Sequence, residues 1–171
     1  MKVDLYFSFR SPYSYLILPR IVLLRDKYGV DINFKQVYPL AIREPEFFKG
    51  KNLFTYFLLK RFDYFLQAKK LGMVFKKPNP DPIKQNIITG KISENQPYIF
   101  DICHMGQLMC NRGKGIEFAH ELSKLIWNVK NWNNDDLLEP LFAEFGEDLC
   151  EVRESIKSNE KTLIEEIEMN Q

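Results

Sequence analysis

The sequence predicts an α/β protein: a parallel pair of strands joined by one long buried helix, with the rest of the chain helical. Three observations carry this. Apolar and polar residues alternate over 3–7 and again over 30–37, which is the period of strands with differently filled faces. Between them lies a run from Tyr13 to Leu24 that is apolar almost all round, too long for a strand and opened by a serine-proline pair. After Leu40 the alternation disappears, and helix-length apolar patterns separated by glycine, proline and asparagine take over.

In the first strand Val3, Leu5 and Phe7 share one face against Lys2, Asp4, Tyr6 and Ser8. Ser11 is a good N-cap, and Pro12 suits the first helical position, where its missing N–H costs nothing. The all-round apolar character of the helix predicts burial on more than one side, Pro19 predicts a kink, and Gly29 behind "RDKY" provides a left-handed stop. Val30, Ile32, Phe34 and Val37, interleaved with Asp31, Asn33, Lys35 and Gln36, form the second strand, which ends near Pro39. Strand, helix and strand in this short compass make a right-handed βαβ crossover.

An aromatic helix is expected from about Leu53 to Leu71, stopped by Gly72, and "KKPNPDPIKQN" is an extended proline loop. Pro97 opens a helix running to about Cys110, "NRGKG" breaks it, Ile116 to Trp127 is the next, and Asn134 caps another that ends at Gly146. In the last segment, from Asn159, Leu163, Ile164 and Ile167 fall on one face. Two parallel strands are too few to cover so apolar a crossover helix, so the architecture is expected to want more strands than the chain contains.

The 171 residues allow one ordinary domain, or a small domain with helices inserted into it. A net charge of +1 gives no global pull toward nucleic acid or anionic membrane. Locally the balance differs: from Lys49 to Lys91 ten Lys or Arg face only Asp63 and Asp81, which reads as a solvated basic face or, with no RNP-like motif to support it, a nucleic-acid surface. No apolar run reaches membrane-spanning length, and "MKVDLYF" is not a secretory signal. Cys103, Cys110 and Cys150 are odd in number and outside any C-x-x-C spacing, which suits a reducing cytoplasm and buried thiols better than a disulfide or metal framework.

The chemistry-bearing stretch is "FSFRSPYSYL", residues 7–16. A thiol-disulfide exchanger needs a thiolate at its helix N-terminus, where amides and macrodipole lower the thiol pKa, and a second cysteine to resolve the mixed disulfide. Ser11 and Ser14 stand in those two places, which excludes dithiol redox chemistry through this motif. The helix terminus remains an anion site, and the Ser11 hydroxyl suits a thiolate carried by a ligand.

At these residues "VDLYFSFRSPYSYL", followed by "YGV", resembles the opening of the 2-hydroxychromene-2-carboxylate isomerases and the kappa-class glutathione transferases. "PLAIREPEFF", "PDPIKQN" and "IEEIEMNQ" look like a bacterial subgroup of the same isomerase-like proteins. The resemblance implies a DsbA-like thioredoxin fold interrupted by a helical domain: residues 1–40 as the N-terminal βαβ unit, 41–157 as the helical insertion and 158–171 as the start of the returning helix. It also implies that family members continue into a "GVP" turn, two antiparallel strands and a last helix. This chain would then carry the sulfur-facing half of the site and lack the peptide-holding half, as a shortened reading frame or a degenerate relative would.

Carried over residue by residue, the resemblance makes Ser11 the catalytic residue beside the sulfur of glutathione, the implied cofactor. Thiolate addition to a conjugated carbon, rotation about the weakened bond and expulsion of the thiolate would isomerise a small aromatic or conjugated carboxylate. Pro12, Tyr13 and Ser14 would line the mouth of the site, Arg43 and Asn52 would serve glutathione or the substrate carboxylate, and the loop at Asn79 would close over it. The implied setting is cytoplasmic, without nucleic acid or membrane, and a homodimer stays open. Read without the resemblance, Ser11 is an N-cap worth about 1 kcal/mol, and Arg43 is a surface arginine after a strand. Asp63 is a salt-bridge partner, His104 and His120 are helix residues, and Trp127 and Trp132 are core. The alternative function is a non-redox DsbA-like binding or chaperone-like module whose sheet edge or apolar groove accepts a peptide.

Overall fold

The structure is a computed structural model that describes residues 1–48, 53–86, 88–89 and 91–171. Strand β1 (Lys2–Phe7) pairs in parallel with β2 (Asp31–Gln36), Lys2 opposite Asp31 and Phe7 opposite Gln36. The connection between them is α1 (Pro12–Tyr28), stopped by Gly29 at φ 64°, the left-handed conformation glycine adopts without steric cost. A short helix α2 (Leu40–Arg43) and a 3₁₀ turn (Pro45–Phe48) lead to α3 (Leu53–Lys70), behind which Gly72 is again left-handed. Then come α4 (Ile99–Asn111), α5 (Gly115–Asn128), α6 (Asp135–Glu144) and α7 (Leu149–Met169).

The strand-helix-strand opening and the helical remainder are those expected, with element ends within a few residues except that the last helix begins at Leu149, ten residues before Asn159. A single apolar core runs from Phe7 and Phe34 of the sheet through Met105 and Met109 of α4 to Phe118, Phe142 and Val152 behind it. Helix α4 packs against β2, α5 and α7, and joins the helical part to the sheet. It comes close: a Cβ on Gly106 would stand 2.7 Å from the Phe9 ring, so only glycine fits there without movement.

Two expectations are corrected. Gln36, read as part of the polar face of β2, is fully buried. Its side-chain N–H donates to the Val37 carbonyl at 2.9 Å, while its Oε1 is buried without a hydrogen-bond partner among the described residues. Helix α1 is covered less than its composition implies: Tyr15, Leu16 and Leu18 are buried, while Leu23 is 52 % exposed, because among the described residues the sheet is two strands wide. The helix continues through Pro19, which lies on its exposed side. Helix α7 starts at Leu149 with Asp148 as its N-cap and runs unbroken through residues 157 and 158.

Trp127 and Trp132 are buried, as read. His104, for which the sequence offered no partner, has its Nε2 3.1 Å from the Tyr38 hydroxyl, and both residues are buried. Burial pushes the Tyr38 phenol up and holds the His104 imidazole below its ordinary 6.5, against a smaller opposing pull from Glu160. Stability therefore has a definite pH sign. A folded-state histidine pKa below the unfolded value means that the unfolded chain binds the proton first as pH falls. The contribution is complete above 6.5 and is lost below it. Denaturant midpoints should fall between about pH 7.5 and about pH 5.5, and His104→Gln should flatten part of that slope. Part remains because burial lowers His120 in the same direction.

Candidate functional site

The candidate site forms where β1 ends and α1 begins. The Ser11 amide donates to the Ser8 carbonyl at 3.0 Å, turning the chain, and Ser11 then has the extended backbone of an N-cap, φ −90° and ψ 116°. Its hydroxyl oxygen accepts the Ser14 amide at 3.2 Å. The hydroxyl proton is a separate resource: among the described residues no protein acceptor receives it, and the side chain is half-buried. Beneath it the Ser8 hydroxyl is buried without a hydrogen-bond partner, while the Ser8 amide faces the Ser14 hydroxyl at 3.5 Å.

Arg10 ties this turn to the proline loop. Its guanidinium meets Asp81 in bidentate fashion, at 2.7 and 3.0 Å, and Asp81 is itself oriented by the Ile83 amide at 3.1 Å. The loop is held from below by the segment after α5: the Trp132 indole donates to the Pro80 carbonyl at 2.7 Å, and the Asn131 amide to the Asn79 carbonyl at 2.7 Å.

A cavity of about 330 Å³ opens between the start of α1, helix α3 and this loop. Tyr64, Phe65, Phe75 and Trp127 form its aromatic wall, with Phe75 and Trp127 stacked at 5.1 Å and 17°. Arg10, Arg61 and Lys77 also line it, with Asp81 the one acid among its described lining residues and already paired to Arg10. A flat apolar body with an anionic substituent matches that lining.

The residues singled out from the sequence distribute unevenly around this point. Pro12 lines the cavity. Tyr13 and Ser14 face a second depression of about 400 Å³, shared with Leu5, Tyr6 and Ile17, so the helix N-terminus separates two concave surfaces. Ser11, between Arg10 and Pro12 in the chain, is itself a lining residue of neither. Arg43 is exposed at the end of α2 and lines neither. Asn79 is exposed in the loop and lines neither, though Pro78 and Asp81 beside it do. Asn52 lies outside the described residues. Asp63, read as a salt-bridge partner, instead accepts hydrogen bonds from the Tyr13 hydroxyl and, at 3.3 Å, from Gln67. The Tyr13 bond, more than any neighbouring charge, holds the Asp63 carboxyl below its usual range.

Sequence reasoning missed Arg10, Arg61 and Lys77. Arg10 sits one residue before the serine motif and had a signal; Arg61 and Lys77 were counted only as members of a basic stretch. Cys103 is buried, and burial pushes its thiol far up, away from thiolate character. Among the described residues no three His, Cys, Asp or Glu side chains gather as a metal site would, and no helix is long and apolar enough to cross a membrane.

No protein-family model and no curated protein sequence matches the chain. Among solved structures it is similar to one described as a selenomethionine 2-hydroxychromene-2-carboxylate isomerase (HCCA isomerase), at 18 % identity and a TM-score of 0.75, over 99 % of this chain and 78 % of that one. The fold read from the sequence, a DsbA-like thioredoxin arrangement with inserted helices, is the fold of that neighbour.

Proposed function

We propose that this protein is a glutathione-dependent isomerase of conjugated aromatic carboxylates. One observation carries the proposal: a half-buried serine caps the first helix with its oxygen while its hydroxyl proton stays unclaimed among the described residues, and its chain neighbours Arg10 and Pro12 line a cationic, aromatic-walled cavity. The residues present fit a thiolate, because an O–H donor and the positive end of a helix both favour a sulfur anion over the thiol. Reduced glutathione, when bound, supplies a nucleophile that adds reversibly to a conjugated carbon, so that the substrate's double bond loses its rigidity before the thiolate departs.

The chain's own residues then have distinct tasks. Ser11 holds the sulfur as anion by donating its proton into the bond without losing it. Tyr64, Phe75 and Trp127 exclude water and fix the plane of the substrate ring. Arg61 and Lys77 receive the carboxylate, a role the sequence reading assigned to Arg43. Arg10 is held to Asp81, so it acts by joining the serine turn to the loop. A similarly folded structure described as an HCCA isomerase supports this class of reaction.

The test is turnover of a conjugated ortho-hydroxyaryl carboxylate by the purified chain. The rate should rise with reduced glutathione and stay at background with S-methylglutathione, whose sulfur cannot ionise. A rate indifferent to that methyl group, or no turnover at all, refutes the proposal.

A further inference from the structure

Helix α3 turns an apolar ridge toward solvent, of which Leu58 and Phe65 also reach the edge of the cavity while Leu59, Phe62 and Leu66 do not line it. Leu59, Phe62 and Leu66 are 67 %, 70 % and 56 % exposed, and Leu58 and Phe65 beside them are over two-fifths exposed. At 100° per residue the five fall within an arc of about 120°. Arg61 borders this arc on one side and Lys70 on the other, while Lys69 continues it at the C-terminal end. The Arg61 guanidinium lies over the Phe65 ring at 5.6 Å, which keeps the cation at the margin of the apolar surface.

We propose that α3 is a peripheral membrane-binding helix that lies flat on an anionic lipid surface. An isolated protruding ridge of large apolar side chains with cations along both margins is what in-plane insertion requires: rings and aliphatic chains sink to the acyl boundary while Lys and Arg meet the headgroups. The absence of a membrane-spanning run does not bear on it, since surface binding needs one face of one helix. Charge chooses this occupant over a second copy of the chain. Beside or along the arc the helix has Arg61, Lys69 and Lys70 against Asp63 alone, Asp63 already serves Tyr13 and Gln67, and Lys60 lies on the opposite side over the Tyr13 ring. Two such helices packed face to face would bring like charges together. A nucleic-acid surface would need the cations but not the ridge between them.

The test is co-sedimentation of the full 171-residue chain with vesicles of phosphatidylcholine alone and of phosphatidylcholine with phosphatidylserine. Binding should be confined to the anionic vesicles, weaken with salt, and fall at least about tenfold for Phe62→Glu and for the Lys69→Glu, Lys70→Glu pair. Both changes are at exposed positions, and circular dichroism shows that the variants are folded. Equal binding of neutral vesicles, or binding unchanged by both variants, overturns the proposal. So does a vesicle-free outcome in which Phe62 governs only dimerisation, or in which the chain retains duplex DNA alone. Vesicle binding is read apart from turnover, so its failure leaves the isomerase reading standing.

Discussion

Trp132→Ala should destabilise the protein by about 3–5 kcal/mol, the usual range for removing a large aromatic from a core. For a chain of this size that corresponds to a fall in Tm of roughly 10 °C. Trp132 is 1 % exposed, packs edge-on to Tyr98 with centroids 6.0 Å apart, and donates its indole N–H to the Pro80 carbonyl. Truncation leaves a void and an unpaired carbonyl in one step. Trp132→Phe separates the two: it keeps most of the packing, loses the hydrogen bond, and should cost about 1 kcal/mol beyond its small volume deficit. The loss should also reach the cavity, because Lys77, Pro78 and Asp81 sit on the loop that the indole anchors. Scanning calorimetry of the three proteins decides the matter, and a Trp132→Ala protein within about 1 kcal/mol of wild type would contradict the packing.

The second large effect concerns Ser11. Ser11→Ala removes a cap worth about 1 kcal/mol of stability, and on the proposed mechanism it also removes the donor that holds sulfur as anion. Glutathione-dependent kcat/KM should fall about 100-fold, or about 2.7 kcal/mol in transition-state stabilisation. The pH at which activity rises should move upward, because the cofactor thiol loses one of the groups that acidify it. Ser11→Thr keeps both the cap and the donor and should retain most of the rate. A purely structural serine would give the opposite pattern: a lower Tm for the alanine variant with an unchanged pH profile.

Local chemistry made much of this readable in advance. Apolar spacing of two, a serine and proline ahead of a long apolar run, and glycines at 29 and 72 are decisions a backbone makes with its near neighbours, and the elements appear where those signals place them. The serine motif was legible for the same reason: the N-terminal end of a helix has the same field wherever the helix packs. Gln36 shows the limit. Alternation cannot say that Cys103 and the Val37 carbonyl will surround an amide, because α4 arrives from almost 70 residues away. Asp63 is similar, since its Tyr13 partner is 50 residues distant in sequence.

The chain by itself determined its strand-helix-strand opening, its helical remainder, the exclusion of dithiol chemistry at Ser11 and Ser14, and the anion-favouring end of α1, all consequences of residue type and short-range geometry. Only the tertiary structure decided which cations stand at that end. Arg10, Arg61 and Lys77 converge on the cavity because the Asp81 carboxylate and the Trp132 indole pull a proline loop across to the first helix, while Arg43, nearer in sequence to β2, stays in solvent. Long-range packing sets which charges meet, and sequence separation is no measure of it.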